Sequence, residues 1–199
     1  MKKYKTVQTL LAHASINPNQ HHGFVNTPVY RGSTVAFPTS ESMREGRQKY
    51  SYGRWNNPST EALTQALQQL EGAEGTVLCP SGLSACTTAI LSVVGTGDHL
   101  LVADNVYAPI RAFCEQVGQR LGIEVSFYDP TIGAGIVDLL KPNTKAIYTD
   151  SPGSLTLEIQ DLPAIVQVAH DHDILVIAYN TWGTPLYFPS LELGVDLSI

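Results

Sequence analysis

Thr76-Val77-Leu78-Cys79-Pro80-Ser81-Gly82-Leu83-Ser84-Ala85-Cys86-Thr87-Thr88-Ala89-Ile90-Leu91-Ser92-Val93-Val94 is the stretch whose reading decides the fold. Thr76–Cys79 is a short apolar run that reads as a buried strand. Pro80-Ser81-Gly82 turns the chain. Leu83–Val94 then reads as a helix that is apolar almost all round, as a buried helix is, and Gly95 and Gly97 end it. The same alternation repeats downstream. The pattern predicts strands over His99–Ala103, Glu124–Tyr128, Lys145–Thr149 and Ile174–Ala178. Between them it predicts a helix over Ile110–Leu121, a short one near Ile136–Leu140, and one capped by Asp161 that runs to about His170. These strands are apolar throughout rather than alternating, and they are spaced by helices. That combination predicts an α/β fold, a mostly parallel sheet with helices on both faces. Ligands of such sheets sit at the carboxyl ends of the strands, here the loops after Cys79, Ala103, Thr149 and Ala178.

Upstream of this stretch, Asn57-Pro58 reads as a helix start, with Asn as the cap and Pro at the first position. Leu63, Ala66, Leu67 and Leu70 recur at helical spacing up to Gly72. Residues 1–56 are irregular and rich in His, Asn, Pro and Tyr, and they read as an N-terminal arm that either wraps another subunit or is disordered. The expected organisation is an arm over 1–56 followed by a ligand-binding domain over 57–199.

Composition excludes several classes. The 199 residues carry a net charge of −6, so the basic surface that nucleic acid or an anionic membrane requires is missing. Cys79, Cys86 and Cys114 are scattered and odd in number, which fits a reducing cytoplasm and gives neither a disulfide framework nor a zinc site. Lys2, Lys3 and Lys5 precede only Leu10-Leu11-Ala12, too short an apolar stretch for a signal peptide. His170, Asp171, His172 and Asp173 stand where a helix hands over to a strand and read as solvated loop residues, so no metal site is expected.

Three loops carry the chemistry. In Ser81-Gly82-Leu83-Ser84 the glycine lets backbone approach a ligand, and the next helix presents free N–H groups at its positive end, an arrangement that suits phosphate. An ordinary strand–helix turn has the same form, and the loop has neither the GxGxxG nor the GxxxxGK[ST] spacing. Tyr107, in Asp104-Asn105-Val106-Tyr107, follows a strand end and can stack on a flat ring; a surface tyrosine would read alike. In Tyr50-Ser51-Tyr52-Gly53-Arg54-Trp55-Asn56-Asn57-Pro58, Arg54 offers a fork for phosphate and Tyr52 a hydroxyl, and the same loop also reads as solvent-exposed.

Taken together, Tyr-Gly-Arg-x-x-Asn-Pro from Tyr52, Pro-Ser-Gly-Leu-Ser-Ala from Pro80, Asp-Asn-Val-Tyr from Asp104, Ser-Pro-Gly-Ser-Leu-Thr-Leu-Glu-Ile-Gln-Asp from Ser151 and Asn-Thr-Trp-Gly-Thr-Pro from Asn180 resemble the pyridoxal-phosphate enzymes of cysteine and methionine metabolism. His21-His22-Gly23-Phe24-Val25-Asn26, Pro28-Val29-Tyr30-Arg31 and Ser151–Leu155 resemble the bacterial cystathionine β-lyases in particular, since γ-acting relatives usually carry asparagine at the position of Ser154. The resemblance runs over nearly the whole chain and over about the first half of a typical member. It implies an aminotransferase-like large domain, incomplete here, and pyridoxal phosphate as cofactor. It implies that Gly82 and Leu83 give N–H groups to the cofactor phosphate, and that Tyr107 stacks on the pyridine ring and helps in proton transfer. Tyr52 and Arg54 would reach the phosphate of the neighbouring subunit of a dimer or tetramer, and Ser154 would lie near the ring's phenolic oxygen. The implied reaction removes the α-proton of a small sulfur amino acid and expels a thiol from its β-carbon, with the ring as electron sink.

Two departures matter, and a third is smaller. Tyr179 stands where the family has the aspartate that keeps the ring nitrogen protonated. The cofactor lysine of the family follows a Ser-x-Thr-Lys motif, and none of Lys2, Lys3, Lys5, Lys49, Lys141 and Lys145 lies in that context. Asp150 replaces the usual glutamate and keeps the charge. The expectation is a carbon–sulfur lyase of the cystathionine β-lyase type, with a catalytically inactive fragment and a γ-synthase or γ-lyase relative as the other readings.

Overall fold

The structure, a computed structural model, describes residues 6–199; Lys2, Lys3 and Lys5 lie outside the described residues. The chain forms two compact units that meet in sequence at Leu78/Cys79. The first contains α1 (Val7–His13), α2 (Ser40–Arg44) and α3 (Pro58–Glu71), with a 3₁₀ turn over Pro18–His21. The expected irregular arm thus holds two short helices among its described residues. Asn57 caps α3 as its sequence implies: its side chain accepts from Ser59 and Thr60 N–H, Thr60 answers toward the Asn57 N–H, and Pro58 opens the first turn. Gly72 closes the helix in the left-handed conformation, with φ of 68°.

The second unit is built on five parallel strands in the order β2-β1-β3-β4-β5. They span β1 His99–Ala103, β2 Glu124–Tyr128, β3 Thr144–Asp150, β4 Leu175–Tyr179 and β5 Leu197–Ser198. The helices of this unit are α4 (Gly82–Val93), α5 (Ala108–Ala112), α6 (Leu162–His170) and α7 (Thr184–Tyr187). On one face Cys86, Ala89 and Ile90 of α4 and Ile110 of α5 pack against Leu100, Val102, Ala146, Tyr148 and Ile177. On the other, Leu162, Ile165, Val166 and Ala169 of α6 pack against Leu101, Ala103, Ile147, Val176 and Ala178. Both faces are covered, which is why the strands read as continuous apolar runs. The chain leaves β1 for β2 on one side and then places β3 on the other, so the order reverses between β1 and β3; that reversal opens a crevice at their carboxyl ends.

The structure differs from the sequence reading at three elements. Thr76–Cys79 belongs to no strand, and Val77 is 81% exposed. A strand exists only where a neighbour takes its N–H and C=O groups, and none of the five described strands pairs with this run. The helix expected over Ile110–Leu121 starts as α5 and widens into a π-turn over Phe113–Gly118. Its buried positions Ile110, Cys114 and Gly118 recur every four residues, wider than the 3.6 of an α-helix, and the wider turn keeps them on one face. The segment near Ile136–Leu140 is a 3₁₀ turn over Gly133–Leu139. Among the described residues no helix is long and apolar enough to cross a membrane, and no group of three His, Cys, Asp or Glu side chains is placed to hold a metal ion.

At the amino end of β1 the His99 side chain is fully buried, its Nδ1 2.8 Å from Thr144 Oγ1 and its Nε2 2.9 Å from Ser126 Oγ. Burial, aided by the nearby Lys141 ammonium, holds its pKa below the usual imidazole value. A depressed folded-state pKa means the unfolded chain binds the proton more readily. His99 therefore contributes stability above about pH 6.5 that is lost as the pH falls through the folded value. Denaturant unfolding at pH 7.5 and pH 5 is expected to show this loss, with the acid limb flatter in His99→Leu.

Candidate functional site

Three of the residues singled out in the sequence follow or end strands at the carboxyl edge of the sheet: Tyr107 after β1, Ser154 after β3 and Tyr179 at the end of β4. α4 returns the chain from the carboxyl edge of the sheet to the start of β1, so its N-terminus lies at that edge, with Cys86 of its second turn beside Tyr148 near the end of β3. Ser81 caps α4 by accepting from Ser84 N–H at 3.1 Å. The N–H groups of Gly82 and Leu83 have no acceptor among the described residues. A Cβ added at Gly82 would meet nothing within 4 Å, so the space beside that residue is open. The helix dipole adds to the attraction of the two N–H groups for an anion.

Tyr107 caps α5 by position, just past the end of β1. Its ring lies parallel to that of Tyr179, the last residue of β4, with 6.2 Å between centroids and 3° between planes. Asp150, at the end of β3, is in register with Tyr179 on the neighbouring strand. Asp150 Oδ2 accepts the Tyr107 backbone N–H at 2.9 Å. Burial pushes the Asp150 carboxyl up to about 6, against the pull of that N–H. Burial likewise raises the Cys86 thiol, so that side chain stays neutral.

The loop after β3 is fastened to the loop after β1. Ser154 N–H donates to Asn105 O at 2.9 Å, and Asn105 Nδ2 donates to Glu158 Oε2 at 3.2 Å. Gly153 packs so tightly on Asn105 that a Cβ there would fall 1.9 Å from Asn105 Nδ2. Below, Gln160 donates from Nε2 to Asp150 O, its backbone N–H donates to Ser151 Oγ, and its Oε1 accepts the Tyr128 hydroxyl at 2.8 Å. Asn105, Gly153 and Gln160 thus set the relative place of Tyr107 and Ser154. Their sequence signal is thin: a glycine after a proline and two ordinary amides.

Tyr52 and Arg54 lie in the first unit. Tyr52 forms an antiparallel bridge with Thr34, and its ring meets Trp55 edge-on at 5.7 Å. Gly53 sits so close to Gly32 that a Cβ would be 2.4 Å from Gly32 O, which accounts for glycine between these two residues. Glu61 of α3 anchors the stretch just before them, taking the Tyr50 hydroxyl and the Lys49 ammonium. Arg54 has no partner among the described residues.

These features define a class: a doubly wound α/β fold whose site combines a helix N-terminus, a ring-stacking tyrosine and a buried carboxyl at the switch point of the sheet. A sequence profile of the Cys/Met metabolism PLP-dependent enzymes matches residues 8–199, and the chain belongs to that family. A protein of Rhizobium johnstonii is 50% identical over 193 residues, which cover 97% of this chain and 49% of that protein. The cystathionine beta-lyase MetC of Escherichia coli is 36% identical over 202 residues, 98% of this chain and 51% of its own length. The crystal structure of metB from Corynebacterium glutamicum superposes with a TM-score of 0.91 at 27% identity, covering 98% of this chain and 50% of that one. The chain spans about half the length of the relatives it matches. The α/β architecture expected from the strand pattern is the architecture of this family.

Proposed function

We propose that this chain supplies the cofactor-binding half of a pyridoxal-phosphate-dependent carbon–sulfur lyase of the cystathionine β-lyase type. The observation that carries the reading is the convergence, at one sheet edge, of two unpaired N–H groups on α4, the Tyr107 ring and the loop bearing Ser154, within a chain of this family. In this reading residues 1–56 form an arm and 57–199 the cofactor domain. The substrate is a small sulfur amino acid, the assembly a dimer or tetramer, and the compartment the cytoplasm. The cofactor, when bound, provides an electron sink for charge developing at the substrate α-carbon. The N–H groups of Gly82 and Leu83 would hold its phosphate, Tyr107 would orient the ring by stacking and could hold a proton there, and Ser154 would face the ring's phenolic oxygen. Tyr52 and Arg54 add a hydroxyl and a guanidinium to the phosphate site of a neighbouring subunit.

The phosphate end fits these residues: two N–H donors are free, and the space beside Gly82 is open. The opposite end does not. Tyr179 is a phenol where a carboxylate would hold a proton on the ring nitrogen, and its own ring lies parallel to Tyr107. In the sheet unit Lys141 and Lys145 lie at the amino edge, with Lys141 paired to Glu124 at 2.7 Å, so the described lysines of that unit are remote from the site. Binding of the cofactor to this chain is therefore expected to be reversible.

The test is a fluorescence titration of the 199-residue chain with pyridoxal phosphate, pyridoxal and inorganic phosphate. Pyridoxal phosphate is expected to bind, pyridoxal to bind at least about tenfold more weakly, and inorganic phosphate to compete, because the anion site supplies charge-assisted hydrogen bonds. Leu83→Pro removes one N–H at a helix position that tolerates proline, and is expected to weaken pyridoxal phosphate about tenfold while leaving thermal stability nearly unchanged. Equal affinity of the two vitamers, or no effect of Leu83→Pro, would overturn the reading.

A further inference from the structure

One buried charged group at the site has no part in the reading above. Asp150 is 1% exposed, and among the described residues no Lys, Arg or His pairs with it. We propose that Asp150 is a positioning residue for Tyr107, acting through the Tyr107 backbone N–H. This rests on the assignment of Tyr107 to the cofactor ring.

Tyr107 lacks a side-chain anchor of its own. It heads α5, yet its own side chain makes no capping hydrogen bond, and Pro109, two residues on, has no N–H to anchor. Upstream, Asn105 is held by Ser154 N–H on its carbonyl. Between that clip and the helix, the Tyr107 N–H is directed at Asp150 Oδ2, 2.9 Å away. A hydrogen bond to a carboxyl in a desolvated place is strong, and it fixes the point from which the Tyr107 side chain projects. The carboxyl is itself fixed: its backbone carbonyl accepts from Gln160 Nε2 at 2.9 Å, and its strand is paired on both sides. The neighbours that share its field, Cys86, Tyr128 and Tyr148, are neutral side chains held so by burial, and they offer it no counter-charge. In this arrangement the Tyr107 ring lies parallel to that of Tyr179.

The experiment measures hydrogen exchange of the Tyr107 amide by NMR in the 199-residue chain, with the Val102 amide of β1 as an internal reference. Asp150→Leu keeps the branched shape and removes the acceptor; it is expected to speed Tyr107 exchange at least about tenfold and leave Val102 unchanged. Asp150→Asn retains a carbonyl oxygen toward the N–H and is expected to restore near wild-type protection. Pyridoxal phosphate affinity should follow the same order, weaker in Asp150→Leu and recovered in Asp150→Asn. Should Asp150→Leu also lose Val102 protection, Asp150→Ala serves as the acceptor-free variant, judged by the same ratio of the two amides. Unchanged Tyr107 exchange in the acceptor-free variant overturns the proposal. So does Asp150→Asn behaving like Asp150→Leu, because the charge and not the acceptor would then matter. If the exchange results stand but no variant, nor the wild type, binds pyridoxal phosphate, the positioning contact survives and the cofactor assignment falls.

Discussion

Joined to the C-terminal half of the Escherichia coli relative, the Tyr179→Asp chain is expected to turn over cystathionine roughly a hundred- to a thousandfold faster than the chain with Tyr179. Tyr179 closes a buried strand, stands in register with Asp150, and directly precedes Asn180-Thr181-Trp182. In the proposed reading this is the position that faces the ring nitrogen. A carboxylate there would hold a proton on that nitrogen and so supply the charge that lets a bound ring act as an electron sink. An ion pair at about 4 Å is worth about 4 kcal/mol at an effective dielectric near 20. A phenol offers a neutral hydrogen bond at most, and it adds a ring that already lies against Tyr107. Tyr179→Asn separates the two effects, since it removes the bulk without restoring the charge. It should recover cofactor affinity but little of the rate. Equal turnover with Tyr, Asn and Asp at this position would show that residue 179 does not partner the ring nitrogen.

Gly153→Ala is expected to cost about 4 kcal/mol of unfolding free energy, far more than alanine at an open glycine such as Gly82. The new Cβ would lie 1.9, 2.5 and 2.9 Å from three atoms of the Asn105 side chain, which is itself buried. Overpacking of this kind costs about 1–3 kcal/mol by itself. Relief requires the loops after β1 and β3 to separate, which breaks the Ser154-to-Asn105 hydrogen bond and loosens Tyr107 from Asp150, at about 1 kcal/mol each. Asn105→Ala should cost less alone and should rescue most of the loss in the double variant, a coupling that urea unfolding of the four chains would measure. Additive effects would mean that the close approach of Gly153 and Asn105 is not what locks the loops.

How far the site could be read in advance depended on how local its causes were. The free donors of Gly82 and Leu83 follow from a Ser-Gly turn before an apolar helix, and the structure leaves both N–H groups unpaired. Tyr107 follows a strand end, where a parallel sheet presents its ligands, whereas Ser154 is implied only by the resemblance of its segment to the family. That Asn105 O takes the Ser154 N–H, and that Asp150 takes the Tyr107 N–H, was not legible. These pairs are 49 and 43 residues apart, and such contacts exist only once β1 and β3 are side by side.

The amino-acid sequence by itself determined the elements whose physics is local. Apolar runs marked β1 to β4, Asn57 and Asp161 marked helix starts through their own side-chain caps, and Gly72 marked an end through its positive φ. Only the tertiary structure decided what needs a partner: that Thr76–Cys79 finds no strand to pair with, that Leu197–Ser198 becomes β5 beside β4, and that Gly153 is wedged against Asn105. The physical reason is the same in each case. A cap or a helix end is satisfied within a few residues of chain, whereas a strand's hydrogen bonds and a close packing contact are satisfied only by whatever the fold places opposite them.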